Sequence, residues 1–265
     1  VTDRSGKHTP FFELVDAQRL AGCPVCRLAY RTTDRYLDML LYEAVLDPEV
    51  REKLKSTYGF CHEHVAMLRG RPGRSLGIAL IYESVLRRLT GIVAEGSLKR
   101  GSFGDRLRGR AASGVALANS LQPEMPCPAC TVQHKAERDY AALLVATIED
   151  DRLASAYASG DGLCLPHLAM TVEQVSDEVT LKRILEPQVA RYRTMLADLS
   201  EYIRKSDHRF RSEPLGPEGD VWLRVMNAMA GGAGMGTSAQ HGGRQSEDLT
   251  GDTRQPRRPQ PSSHT

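Results

Sequence analysis

The sequence predicts an all-α protein, two similar helical units packed as one helical bundle, and three observations carry that expectation. Apolar residues recur at i, i+3, i+4, i+7 in both halves of the chain. No convincing stretch of strand-like alternation appears. One cysteine and histidine signature occurs twice: Cys23-Pro-Val-Cys26 is followed by Gly59-Phe-Cys61-His-Glu-His64, and Cys127-Pro-Ala-Cys130 by Gly162-Leu-Cys164-Leu-Pro-His167. In the first copy 34 residues separate the second cysteine from the third, and in the second copy 33, so one deletion relates them. Tyr36 and Tyr140, Leu40 and Leu144, Asp47 and Asp151 match at one offset, and Gly59 with Gly162 and Met67 with Met170 match after the deletion.

The first long helix follows Cys26, with Leu37, Leu40, Leu41, Ala44 and Val45 as its buried stripe. It ends near Leu46, because Asp47-Pro48 reads as a turn with proline in the first position of a new helix. In the second unit Tyr140, Leu143, Leu144, Thr147 and Ile148 repeat the spacing. A closing amphipathic helix ends each unit, carried by Ile78, Ile81, Tyr82, Val85, Leu86 and Leu89 in the first. In the second it is carried by Leu181, Ile184, Leu185, Tyr192, Met195, Leu196, Leu199 and Ile203. The domain organisation read from these patterns is a first repeat over 1–95, a Gly/Arg-rich connection over 96–120, a second repeat over 121–210, a short C-terminal segment over 211–230 that Trp222 docks on the core, and a disordered tail over 231–265.

Composition bounds the function. Six cysteines in 265 residues are too few for a disulfide-dense scaffold, and 35 basic against 33 acidic residues give no global attraction to nucleic acid or membrane. No run approaches the roughly 18 consecutive apolar residues of a membrane span. The polar first ten residues lack a signal-peptide apolar region, which gives a cytoplasmic reading in which thiols stay reduced and paired cysteines mean metal or redox chemistry.

Each copy offers three cysteines and one histidine, the donor count of a closed tetrahedral zinc site. The expected ligands are Cys23, Cys26, Cys61 and His64 in the first copy and Cys127, Cys130, Cys164 and His167 in the second, holding two Zn²⁺ ions that clamp the two helical hairpins. Pairing within each half is expected from lengths: a helix of about 30 Å runs out, and a short helix plus five extended residues, about 28 Å together, runs back. Pairing of ligands across the halves is the other arrangement. Leu165 stands where His62 does, so His64 is the ligand and His62 a surface residue; His134 aligns with Tyr30 and Glu63 with Pro166, which removes both from the shared chemistry. Four protein donors leave no open position, so no catalytic residue is assigned and the chain reads as a non-enzymatic structural, interaction or regulatory protein with a protein partner.

Two other readings use the same cysteines. A thiol-redox protein would employ Cys-Pro-x-Cys as an exchanging dithiol, but that motif belongs on a βαβ framework absent from the pattern. An iron–sulfur cluster with Cys3His ligation satisfies the same spacing. Nucleic-acid binding is a third alternative. It rests on Arg87, Arg88, Lys99, Arg100, Arg106, Arg108 and Arg110 against only Glu95 and Asp105, a stretch that also reads as a solvated linker.

Taken together, the Cys-Pro-x-Cys, the Tyr36-Leu37 helix leading to Asp47-Pro48, the Gly-Phe-Cys-x2-His and the later Gly-Leu-Cys-x-Pro-His of 162–167 resemble an uncharacterised bacterial group, domain-of-unknown-function family 6062. The resemblance covers roughly residues 10 to 205, involves all eight expected ligands and implies no activity. Beyond about Phe210 the chain departs from the pattern.

Overall fold

The computed structural model describes residues 9–98, 114–210 and 212–232, and among these the regular structure is helical with no strand. The helices are α1 (Thr9–Gln18), α2 (Pro24–Glu43), α3 (Pro48–Ser56), α4 (His62–Arg69), α5 (Ser75–Leu98), α6 (Gly114–Ser120), α7 (Pro128–Thr147), α8 (Asp151–Ser159), α9 (Leu165–Val172), α10 (Glu178–Ser206) and α11 (Val221–Ala230). Two single turns of 3-10 helix, His208–Phe210 and Pro217–Asp220, lead into α11. The series α2, α3, α4 and the series α7, α8, α9 have the same lengths in the same order, 20, 9 and 8 residues. None of these helices is long and apolar enough to cross a membrane.

The centre of the molecule is the pairing of α2 with α7. Val25 and Leu28, at the start of α2, share one core with Leu144 and Ile148 at the end of α7. Leu37, Leu40 and Leu41, at the end of α2, share the other core with Ala129 at the start of α7. The two helices therefore run antiparallel, and the start of each lies beside the end of the other. Helix α1 fills the first core with Phe11 and Leu14, packing on α2, α7 and α8, while α3 packs on α5 and Leu54, Phe60, Leu68 and Ile81 complete the second core.

Local chemistry fixes the helix boundaries. Asp47 accepts from the backbone N–H groups of Glu49 and Val50, at 2.9 and 3.0 Å, ahead of Pro48 at the first helical position. Asp150 and Asp177 cap α8 and α10 in the same way. The turn at Asp47 is where the sequence places it, with α2 ending at Glu43, three residues before Leu46. The expected stripes of α2 and α7 are inside, Leu37 and Leu144 without exposed surface. The expected stripes of the closing helices are wider than what is covered: Leu86, Leu196 and Ile203 are each more than 60% exposed, because α5 and α10 lie on the outside of the bundle and only a narrow face is shielded.

Helix α5 continues to Leu98 and Gly114–Ser120 is helical, so the connection read over 96–120 contains regular structure at both ends. Its middle, and with it Lys99, Arg100, Arg106, Arg108 and Arg110, lies outside the described residues, as does the tail expected over 231–265 from residue 233 onward. Trp222 does not anchor the C-terminal segment. It is 45% exposed, and its neighbour Val221 is the fully buried anchor, because Val221 is the residue on the face of α11 that meets the bundle.

Candidate metal centres

Two groups of Cys and His donors form, Cys23, Cys26, Cys164 and His167 in one and Cys61, His64, Cys127 and Cys130 in the other, with all donor atoms of a group within 4.8 Å of one another. All eight residues singled out in the sequence are brought together. Their pairing is across the halves, which corrects the expectation of one group per half. Two features defeat the length argument. Tyr58 and Gly59 both have positive φ, 52° and 87°, and the Gly59 N–H donates back to the Leu54 carbonyl at 2.7 Å, so the segment after α3 curls instead of extending back along α2. The antiparallel α2 and α7 also bring the end of α7, and with it α8 and α9, to the start of α2. Cys164 and His167 thereby meet Cys23 and Cys26.

Every ligand pair sits at the start of a helix. Cys23, Cys61, Cys127 and Cys164 are the N-caps of α2, α4, α7 and α9, and Cys26, His64, Cys130 and His167 are the third helical residues of the same four helices. The caps have extended backbone near ψ 123° to 170°, so cap and third residue turn to one side of the helix mouth. Pro24, Pro128 and Pro166 occupy first-turn positions that lack an intrahelical acceptor for an N–H. Each group thus lies between two helix N-termini, whose partial positive charge favours thiolates. Gly59 and Gly162, with φ 87° and 75°, turn the chain into Cys61 and Cys164; a Cβ at Gly59 would stand 2.9 Å from the Tyr82 ring, and one at Gly162 2.5 Å from the Gln188 Oε1. Gln188 then holds Leu163 by both backbone groups, at 3.2 and 2.9 Å, which fixes the approach to Cys164.

The donor spacing fits one tetrahedral ion. A zinc–sulfur distance of about 2.3 Å places two sulfurs of a tetrahedron about 3.8 Å apart. The Sγ atoms of Cys26 and Cys164 are 3.7 Å apart and those of Cys61 and Cys130 3.5 Å. The His167 Nδ1 lies 3.5, 3.2 and 3.2 Å from Cys23, Cys26 and Cys164, and the His64 Nδ1 lies 3.0, 3.8 and 3.5 Å from Cys61, Cys127 and Cys130. Both histidines are buried and offer Nδ1. The thiols share protons unevenly: hydrogen bonds from Cys164 and Cys26 hold the Cys23 thiol well below its ordinary value, while those with Cys164 and Cys23, reinforced by burial, push Cys26 up. Burial and the neighbouring thiols raise Cys130 to about 12. A cation entering such a set displaces those protons.

The two groups differ in what surrounds them. At the first, the end of α11 closes over the sulfurs: the Gly232 N–H faces the Cys26 Sγ at 3.4 Å. Gly231 has φ 76°, which strains any side chain, and a Cβ there would press tightly on the sulfurs, 3.2 Å from the Cys164 Sγ and 3.4 Å from that of Cys26. At the second, the His64 Nε2 lies 3.0 Å from the Gln133 Oε1. The Gln133 amide in turn donates to the Glu137 Oε1 at 3.0 Å. That same Oε1 stands 3.7 Å from the His167 Nε2 of the first group. Burial works to raise the Glu137 carboxyl, but His167, Gln133 and His134 hold it down to about 2. Burial disfavours the charged ring of His167, yet Cys164, Cys23 and Glu137 raise it to about 11. Sequence reasoning missed Gln133, Glu137, Gly231 and Gly232. The first two lie three and seven residues after Cys130, polar residues on the ligand's own face of α7, and that register is the signal that could have found them.

His62 and Glu63 are exposed, in keeping with their exclusion. His134 holds no position in either group and bonds Glu137 Oε2 at 3.0 Å. Of the basic stretch, Arg87 pairs with Glu83 at 2.7 Å and Arg88 with Glu124, so both described arginines are matched by carboxylates.

Comparison with known proteins places the chain in a family. The model of the family described as "Family of unknown function (DUF6062)" matches residues 9–235. The match runs through α11 and the two glycines, so the C-terminal segment falls within the family after all. A relative named only as an uncharacterized 23.9 kDa protein in the xynA 3' region of Caldicellulosiruptor sp. (strain Rt8B.4) is 24% identical over 188 residues, 71% of this chain and 83% of that protein. No solved structure matches.

Proposed function

Because the chain belongs to the DUF6062 family, whose function is unknown, we propose from the site itself that it is a zinc-binding, non-enzymatic interaction or regulatory protein whose two ions serve as structural clamps. The ligand sets are Cys23, Cys26, Cys164 and His167 for one ion and Cys61, His64, Cys127 and Cys130 for the other. The observation that carries this reading is the closed four-donor set: three thiols and one imidazole at single-ion spacing leave no coordination position for substrate or water. An iron–sulfur cluster has several irons and bridging sulfides at its centre and spreads its protein ligands farther apart than one ion does, which favours zinc over the cluster. Each ion would join two helix mouths from opposite halves, so its binding energy is folding energy. An interaction role is supported by the outer face of α11, where Trp222, Met226 and Met229 lie at i, i+4, i+7 and are 45%, 60% and 40% exposed.

The test is elemental analysis of protein purified without added metal. Two zinc ions per chain is the expected result. A brown sample containing iron and acid-labile sulfide, or a metal-free chain whose thiols cycle with glutathione, overturns it.

A further inference from the structure

We infer that the two metal centres are coupled through a single buried carboxylate, Glu137, which serves the histidine of both. The inference rests on the metal reading above and goes beyond it, since two structural clamps need have no knowledge of each other. A histidine that binds a metal through Nδ1 keeps its proton on Nε2 and requires an acceptor there, and that acceptor sets the ring's orientation and its strength as a ligand. His167 turns its Nε2 toward Glu137, at 3.7 Å. His64 turns its Nε2 to the Gln133 Oε1 at 3.0 Å, and the Gln133 Nε2–H passes the polarity on to the same Glu137 oxygen, at 3.0 Å. The polarity runs one way: the His64 ring N–H donates to the Gln133 amide oxygen, the Gln133 amide nitrogen donates to Glu137, and the His167 Nε2 stands at ion-pair distance, 3.7 Å, from the same carboxylate oxygen.

The position of the relay in the fold makes it shared. Gln133 and Glu137 are one helical turn apart on α7, the helix whose first turn supplies Cys127 and Cys130. Glu137 is buried, and the antiparallel packing places it between the helix mouth of α7 and that of α2. A buried carboxylate is costly unless its oxygens are occupied, and here Gln133 and His167 face one oxygen and His134 the other. Loss of an outer partner of this kind costs a metal site roughly 10- to 100-fold in affinity. Because one carboxylate stands beside the His167 ring and, through Gln133, behind the His64 ring, a change at either centre alters the surroundings of the other.

The experiment uses the full chain loaded with cadmium-113 as the only metal. Its two resonances, one per Cys3His group, are assigned through couplings to the cysteine β-protons. The near-isosteric Gln133→Leu removes the relay while leaving Glu137 and all eight ligands, and both resonances are expected to shift. A shift confined to the ion held by His64 overturns the coupling and leaves the metal reading intact. Absence of two bound ions overturns the metal reading and the coupling with it. As a second variant, Glu137→Gln keeps the shape and removes the charge. Chelator competition should then show roughly tenfold or greater loss of affinity at both sites, and loss at the His167 site alone counts against the inference. Helical circular dichroism checks that each variant is folded.

Discussion

Cys26 and Cys164 stand 138 residues apart in the chain and 3.7 Å apart at their sulfurs. Neither half of the chain therefore owns a complete donor group, although each half carries three of the cysteines and one of the clustered histidines. The halves are interlocked through both centres.

The interlock has a signature in metal stoichiometry. Any single Cys→Ser change among the six should lower zinc from two ions per chain to one. The double variant Cys61→Ser/Cys127→Ser should still hold one ion, because both residues serve the same centre, whereas Cys23→Ser/Cys61→Ser should hold none. Elemental analysis of the two double variants decides the matter, and the reverse result means that each half binds its own ion.

Gly231 is a point where one atom should matter at one centre only. Gly231→Ala introduces a Cβ against the sulfurs of Cys164 and Cys26 and places a side chain at φ 76°. A loss of about 1 kcal/mol or more in stability is expected from the backbone alone. Metal release to a chelator should quicken from the centre containing His167 while that containing His64 keeps its rate.

Leu40 and Leu144 hold equivalent places in the α2 and α7 pairing and are almost wholly buried. Truncation of either to alanine should cost about 2–5 kcal/mol, measured by urea denaturation of the metal-loaded protein. A surface residue of the same helices, such as Met39, should cost far less.

Burial pushes the Tyr157 hydroxyl up to about 12, against the opposing influence of Arg191 stacked on its ring at 4.8 Å. The neutral phenol is what the fold stabilises, so this contribution is complete below the unfolded value of about 10 and is lost as pH rises through about 12. Stability measured between those limits should fall in the wild type and fall less in Tyr157→Phe. Burial also raises Tyr36, Tyr82 and Tyr140, so a tyrosinate titration at 295 nm should show several late-titrating tyrosines, one fewer in the variant.

The fold class, the two long helices, the turn at Asp47-Pro48 and all eight clustered residues are legible in the sequence, because helical periodicity and ligand spacing are local properties. The partnership of the ligands is not local. It depends on which way α7 lies against α2, and a length estimate along one half cannot sense the other. The same holds for Leu196 and Ile203, which match a helical stripe yet face outward, since periodicity states that a face is apolar without stating that anything covers it. Gln133 and Glu137 escape notice because a pairwise match of the halves favours residues the halves share, and the relay belongs to one half only.

The cross-half pairing also sets an order in time. Along the chain the ligand pairs are nested: Cys23 and Cys26 open first, Cys61 and His64 open second, Cys127 and Cys130 answer the second, and Cys164 and His167 answer the first. On a translating ribosome the inner centre has its full donor set 37 residues before the outer one, roughly 2–7 s at ordinary elongation rates. On the proposed metal reading, the thiols made earliest are thus the last to gain their full donor set. Closing the inner loop first would also shorten the effective chain that the outer closure must span, so capture of an ion at the inner centre would lower the entropy cost of the next.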